Sequence, residues 1–161
     1  PAAVRRGIEL ELHVPASPVR IRHDPQRIGQ VVGNLVGNAI KFSPRGAAVT
    51  VEVAAAREGA RLVVRDSGVG IDAAELPHIF ERFYRGSSAN EARGSGSGLG
   101  LAIVKSIIDM HGGRIAVESR VGVGTTMLVM LPRDPRHAEE GPPPAGEHGA
   151  PGEAPARDGT M

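Results

Sequence analysis

Residues 93–113 read "RGSGSGLGLAIVKSIIDMHGG", with glycines at alternate positions, Gly94, Gly96, Gly98 and Gly100, running without a break into an apolar segment. Glycine allows positive φ or the close approach of another molecule, and the start of a helix presents unpaired N–H groups that attract anions. A glycine hinge in front of a helix therefore suggests a phosphate site. Two phosphate motifs of fixed spacing do not fit. A P-loop needs glycine directly before its Lys-Ser pair, and here Val104 precedes Lys105 and Ser106. A dinucleotide fingerprint needs Gly-x-Gly-x-x-Gly straight after a strand. This run follows the polar, turn-rich "FYRGSSANEA" and reads Gly-x-Gly-x-Gly. On these residues alone, a flexible linker ahead of a core helix remains an alternative.

The chain of 161 residues has the length of one domain, and a 40% hydrophobic composition can supply a core. A net charge of +1, with acidic and basic residues interspersed, leaves no footprint for nucleic acid or an anionic membrane surface. Without cysteine there are no disulfides, thiolate metal sites or thiol nucleophiles. No apolar run reaches the roughly 18 residues of a membrane span, and no signal peptide opens the chain. It begins with Pro1 rather than Met, and is expected to be a piece of something longer.

Outward from the glycine run, the pattern divides the chain in two. Residues 134–161 are rich in Pro, Gly and Glu with almost nothing apolar to bury, and are expected to form a disordered tail behind one domain over residues 1–133. Within that domain "GIELELHV" and "VRIRH" alternate as short strands. Asp24 and Pro25 then open a helix over residues 25–42, whose Ile28, Val31, Val32, Leu35, Val36, Ala39 and Ile40 recur at spacings of three and four. "AAVTVEVAAAREGARLVVRDSG" reads as a hairpin turning at residues 57–59. A short helix over 75–80 and a long one over 98–111 follow, the latter stopped by Gly112 and Gly113. "RIAVESR" and "TTMLVMLP" close the domain as a second hairpin across "VGVG". The expected fold is an α/β (α+β) two-layer sandwich, a mixed and largely antiparallel sheet with helices on one face.

Two further groups of residues carry chemistry. On the helix over 25–42, Gln30, Asn34, Asn38 and Lys41 form one polar stripe, roughly 140° from the apolar one. Asparagine is a poor helix former, so two of them a turn apart ask for a reason beyond solvation. An amide oxygen suits magnesium, and Lys41 could meet a phosphate, although a solvated helix face gives the same pattern. In "RLVVRDSGVGI" Asp66 ends a strand and Gly68 and Gly70 follow. An aspartate there can accept from an exocyclic amino group while the glycines leave room for a flat ring, and Asp-Ser-Gly is also an ordinary turn.

Taken together and in order, "QVVGNLVGNAIKFS", "DSGVGI", "IFERFYRG" and "GSGSGLGLAIVK" closely resemble the N box, first glycine box, F box and second glycine box of the bacterial sensor histidine kinases. These belong to the superfamily shared with DNA gyrase and MutL. The resemblance covers about residues 7–131 and implies the Bergerat ATP-binding fold with ATP and Mg2+ as cofactors. It assigns Asn38 to the metal, Asn34 to the metal and phosphate surroundings, Lys41 to the phosphates and Phe42 to the nucleotide. Asp66 would accept the adenine amino group, with Gly68, Gly70 and Ile71 lining the base pocket. Gly96, Ser97, Gly98, Leu99, Gly100 and Leu101 would close over the phosphates. Residues 72–97 would form a mobile lid, with Phe80 and Phe83 as its anchors and Arg85, with Arg82, on the phosphates. Asn34, Lys41 and Arg85 are the expected catalytic group.

The hydrolysing branch of that superfamily is expected to carry a glutamate base where this chain has Asn34. An amide cannot take a proton from water, so transfer to an outside nucleophile is favoured over hydrolysis. The family's phosphoacceptor histidine lies in a His-Glu or His-Asp motif on a dimerisation helix, a context that none of His13, His23, His78, His111, His137 and His148 has. The resemblance therefore implies a catalytic domain whose partners are its own dimerisation and phosphoacceptor domain, in a homodimer, and a response regulator. It implies a cytoplasmic domain of a protein anchored in the bacterial inner membrane, without nucleic acid or membrane contact of its own. A superfamily ATPase, a serine kinase and a nucleotide-binding interaction module are the alternatives.

Overall fold

The computed structural model describes residues 2–86 and 97–135. A short helix α1 (Ala2–Arg6) leads into strand β1 (Glu9–His13), and helix α2 (Pro25–Phe42) crosses to the hairpin of β2 (Ala48–Ala56) and β3 (Gly59–Asp66). After a single 3-10 turn at Leu76–His78 come helix α3 (Gly100–Met110) and the hairpin of β4 (Arg114–Arg120) and β5 (Gly124–Pro132). The five strands form one sheet in the order β1-β2-β3-β5-β4, with β1 parallel to β2 and every other pair antiparallel. The expected mixed, largely antiparallel sheet is the one observed.

Register decides which face is covered. Val51 pairs with Val64, Val64 with Met127 and Met127 with Val117, so alternate residues of four strands line one face. Against it α2 sets Val31, Leu35 and Ala39, and α3 sets Val104, Ile107 and Ile108, all buried. Helix α2 starts where its cap chemistry says it should. The Asp24 carboxylate accepts from the N–H groups of Gln26 (2.9 Å) and Arg27 (3.1 Å), and Pro25 occupies the first turn. Helix α3 stops where Gly112 donates to the Asp109 carbonyl and Gly113 to that of Ile108, both at 2.9 Å. The two helices are also pinned to each other. His111, buried, donates from Nδ1 to the Ile107 carbonyl (2.8 Å), and its Nε2 accepts from the Asp24 N–H (3.1 Å).

Three expectations differ from this. Residues 19–23 form no strand; Arg22 N–H reaches the Arg133 carbonyl at 2.8 Å, just past the end of β5, its Nε lies 3.7 Å from Asp134, and Ile21 packs against the core. Alternation alone makes no strand without a ladder of successive bonds to a neighbour. The helix over 75–80 shrinks to the 3-10 turn, whose Pro77 lies inside it. In the first hairpin Gly59 pairs with Ala56, so the turn is Arg57 and Glu58 alone. The expected tail beyond residue 135 lies outside the described residues.

Candidate functional site

Strand β3 ends in Asp66, and the chain then doubles back over the last turn of α2. Val69 N–H reaches the Phe42 carbonyl at 3.3 Å, and Gly68 lies so close to that carbonyl that a Cβ there would stand 2.5 Å from its oxygen. Asp66 Oδ1 accepts from the Gly68 N–H (2.9 Å) and the Thr125 N–H (3.2 Å). Both bonds fall on one oxygen and stabilise the ionised carboxylate. Burial of the side chain outweighs them, and the carboxyl is held above the usual aspartate range. Gly70 turns at φ +72° with the Arg120 carbonyl 2.1 Å from where a Cβ would be, so only glycine fits.

Two turns back along α2, about 12 Å from Phe42 at 1.5 Å per residue, lies Asn34. Its Nδ2 donates to the Gln30 carbonyl one turn earlier (3.0 Å), which leaves Oδ1 to face the start of α3. There Gly100 approaches closely, and a Cβ on it would meet Asn34 Oδ1 at 3.1 Å. Among the described residues no side chain caps α3 at its N-cap residue, Leu99. Its first N–H groups are therefore open to an anion, with the positive end of the helix dipole behind them. Before it Gly98 sits at φ +69°, its carbonyl accepting from the Phe83 N–H at 2.9 Å. A Cβ on Gly98 would fall 2.7 Å from the Phe83 backbone, so the clasp needs glycine twice over.

These parts enclose one cleft of about 520 Å3. Of the expected site residues, Asn34, Asn38, Lys41 and Phe42 line it from α2, and Asp66, Gly70 and Ile71 from the strand end and its loop. Arg85, Ser97, Gly98, Gly100 and Leu101 line it from the third side. The Lys41 ammonium lies over the Phe42 ring, 5.0 Å from its centre. Gly68 and Leu99 are not among the lining residues: Gly68 is spent against α2, and Leu99 flanks the helix start. Gly96, with residues 87–95 of the expected lid, falls outside the described residues. The two lid anchors divide, with Phe80 packed against the core and Phe83 exposed at φ +63°. No described histidine lines the cleft; His78, for one, stands on the surface with Nδ1 2.8 Å from Glu81.

Thr125, Glu75, Tyr84 and Ile79 also line the cleft, and the sequence reading missed them. Ile79 and Tyr84 lie inside the quoted F box, and nothing in their residue type or spacing marks them as cleft residues. Thr125 looks like any β-branched strand residue until register sets it opposite Asp66.

A mixed sheet under two helices thus opens into a cleft between strand end and helix start. Residues 23–135 match the family described as Histidine kinase-, DNA gyrase B-, and HSP90-like ATPase, and the chain belongs to that family. Within it the chain is a catalytic ATP-binding domain of the sensor histidine kinase type. It is 40% identical over 126 residues to histidine protein kinase DivJ of Caulobacter vibrioides, an alignment covering 78% of this chain and 21% of DivJ. Among solved structures, a mycobacterial sensor histidine kinase MprB superimposes with a TM-score of 0.72 at 39% identity, covering 83% of this chain and 90% of that one. Full-length ShkA in complex with AMPPNP gives 0.68 at 30% identity, covering 84% of this chain and 28% of that one. The chain thus spans about a fifth of the length of the curated relative DivJ. Among the described residues no helix is long and apolar enough to cross a membrane.

Proposed function

We propose that the cleft binds Mg-ATP and that the domain donates the γ-phosphoryl group to a histidine on a separate helical dimerisation domain of the same kinase. The observation that carries this is the convergence of Asp66, the α2 amide stripe and the open start of α3 on one cleft. The free Oδ2 of Asp66 accepts from the adenine amino group, and Gly70 and Ile71 flank the base beside Phe42. The phosphates lie toward Asn34, Lys41 and Arg85, and the backbone from Ser97 to Leu101 turns its N–H groups on them.

The residues present fit a magnesium ion. Among the described residues no group of three or more His, Asp or Glu could hold a metal unaided. Asn38 offers one neutral, hard oxygen, so most of the octahedron falls to phosphate oxygens and water. When bound, the ion neutralises phosphate charge. The chain's own residues orient the phosphates, and Asn34, an amide, takes no proton from water, which leaves the γ-phosphorus for the acceptor imidazole. In that transfer the bond from the γ-phosphorus to the bridging oxygen breaks, a phosphorus–nitrogen bond forms, and ADP departs. The whole protein is a membrane-anchored homodimeric sensor with this domain in the cytoplasm, passing its phosphoryl group to a response regulator.

Mixing the domain with its dimerisation domain and γ-labelled ATP tests this. Acid-labile label on the acceptor histidine is the expected result. Phosphoserine, or label released only as free phosphate, contradicts the proposal.

A further inference from the structure

Behind Asp66 three hydroxyl and carbonyl groups share two protons. Thr125 on β5 stands in register between Asp66 on β3 and Ser119 on β4. Ser119 Oγ lies 2.9 Å from the Ile71 nitrogen, 2.9 Å from the Gly124 carbonyl oxygen and 2.8 Å from Thr125 Oγ1. A hydroxyl has one proton and two lone pairs. When Ser119 donates to Gly124, its lone pairs accept from the Ile71 N–H and from the Thr125 hydroxyl. Thr125 has then given its only proton away from the cleft. Asp66 Oδ1 is already filled by the Gly68 and Thr125 N–H groups.

We propose that Ser119 is a positioning residue for base selection: by taking the Thr125 proton it makes the wall beside Asp66 present acceptors alone, Asp66 Oδ2 and Thr125 Oγ1. This rests on the reading that the cleft holds ATP with its base at Asp66. An exocyclic amino group brings two N–H bonds to two acceptors. A ring carbonyl at the same place meets only lone pairs. Ser119 also ties Ile71, at the edge of the base pocket, to the β4–β5 hairpin. Without the Ser119 oxygen, the Thr125 hydroxyl can rotate and donate into the cleft, and the wall no longer rejects a carbonyl.

The test compares ATP with inosine triphosphate, which carries a carbonyl where adenine carries the amino group, by competitive binding to the native chain and to S119A, S119T, T125V and the S119A/T125V pair. The expected result is that S119A narrows the ratio of the two affinities by about tenfold, the worth of one hydrogen bond, while S119T preserves it. T125V narrows the ratio by itself, and S119A adds nothing in that background. If S119A weakens both nucleotides by one factor and leaves the ratio unchanged, Ser119 is merely structural and the proposal falls. Should S119A not fold, T125V decides: an unchanged ratio overturns the proposal. A native chain that binds neither nucleotide overturns the reading of the cleft itself, an outcome distinct from a native chain that binds both with an unaltered ratio in the variants.

Discussion

Asp66 carries a conflict between stability and use. Burial raises its carboxyl pKa while two N–H groups oppose the rise, so in the folded chain the proton is held more tightly than in the unfolded one. Ionised Asp66 therefore destabilises the nucleotide-free domain, and this loss sets in as pH rises through the window between the ordinary aspartate value and the raised one. D66N, which keeps an oxygen for Gly68 and Thr125, should melt higher than the native domain at neutral pH, and the difference should vanish below the ordinary aspartate range. ATP affinity should fall as acid protonates the carboxylate, because Oδ2 then stops being a simple acceptor. D66A should weaken ATP by roughly tenfold to a hundredfold, on the order of 1 to 3 kcal/mol for an amino group left unpaired, and calorimetry with ATP and GTP reads it. Equal affinity of the native chain for the two nucleotides would remove Asp66 from the site. N38A should leave metal-free binding intact and abolish the gain from magnesium. A gain equal to that of the native protein would refute the metal role. Asp66 stood out in the sequence as a strand-end carboxylate before glycines, but Asp-Ser-Gly alone is an ordinary turn, and only the order of the four motifs singled it out. Thr125 and Ser119 were not legible, because their partners come from strands that only register brings together.

Helices α2 and α3 act as the two jaws of the cleft, joined at one end by His111 and at the site by Gly100 against Asn34. Replacing His111 by alanine leaves the Asp24 N–H and the Ile107 carbonyl without their side-chain partner. The loss should be about 1 to 3 kcal/mol in denaturant unfolding, and a variant as stable as the native chain would show that the pin is idle. At the other end G98A meets both the positive φ and the Phe83 backbone. It should reduce ATP affinity by about tenfold or more, beyond the small helix-propensity effect, because the start of α3 must shift. Unchanged affinity would remove the clasp from the account. The sequence told α2 and α3 plainly: spacings of three and four, an Asp-Pro start and a Gly-Gly stop are local signals. It misread residues 19–23 because alternation is local and pairing is not. The two strands of the long β2–β3 hairpin were read correctly, with the turn one residue too long, because they are joined by a tight local turn.

At the scale of the molecule, the covered side of the sheet carries the cleft, between the end of β3, α2 and the start of α3. The opposite face carries a second groove, lined by Thr50, Arg65, Glu118, Arg120 and Thr126 among others, behind Asp66. Two basic side chains there make it the competing place for a triphosphate, and nucleotide in the cleft must be told apart from nucleotide there. Nuclear magnetic resonance of the isotope-labelled domain, titrated with magnesium and AMP-PNP, does so directly. The side-chain amides of Asn34 and Asn38 and the backbone amides of Gly70, Gly98 and Gly100 should all move along one saturation curve, with Arg65, Thr126 and Arg120 little changed. Movement confined to Arg65, Thr126 and Arg120, with the α2 amides and Gly100 still, would contradict it.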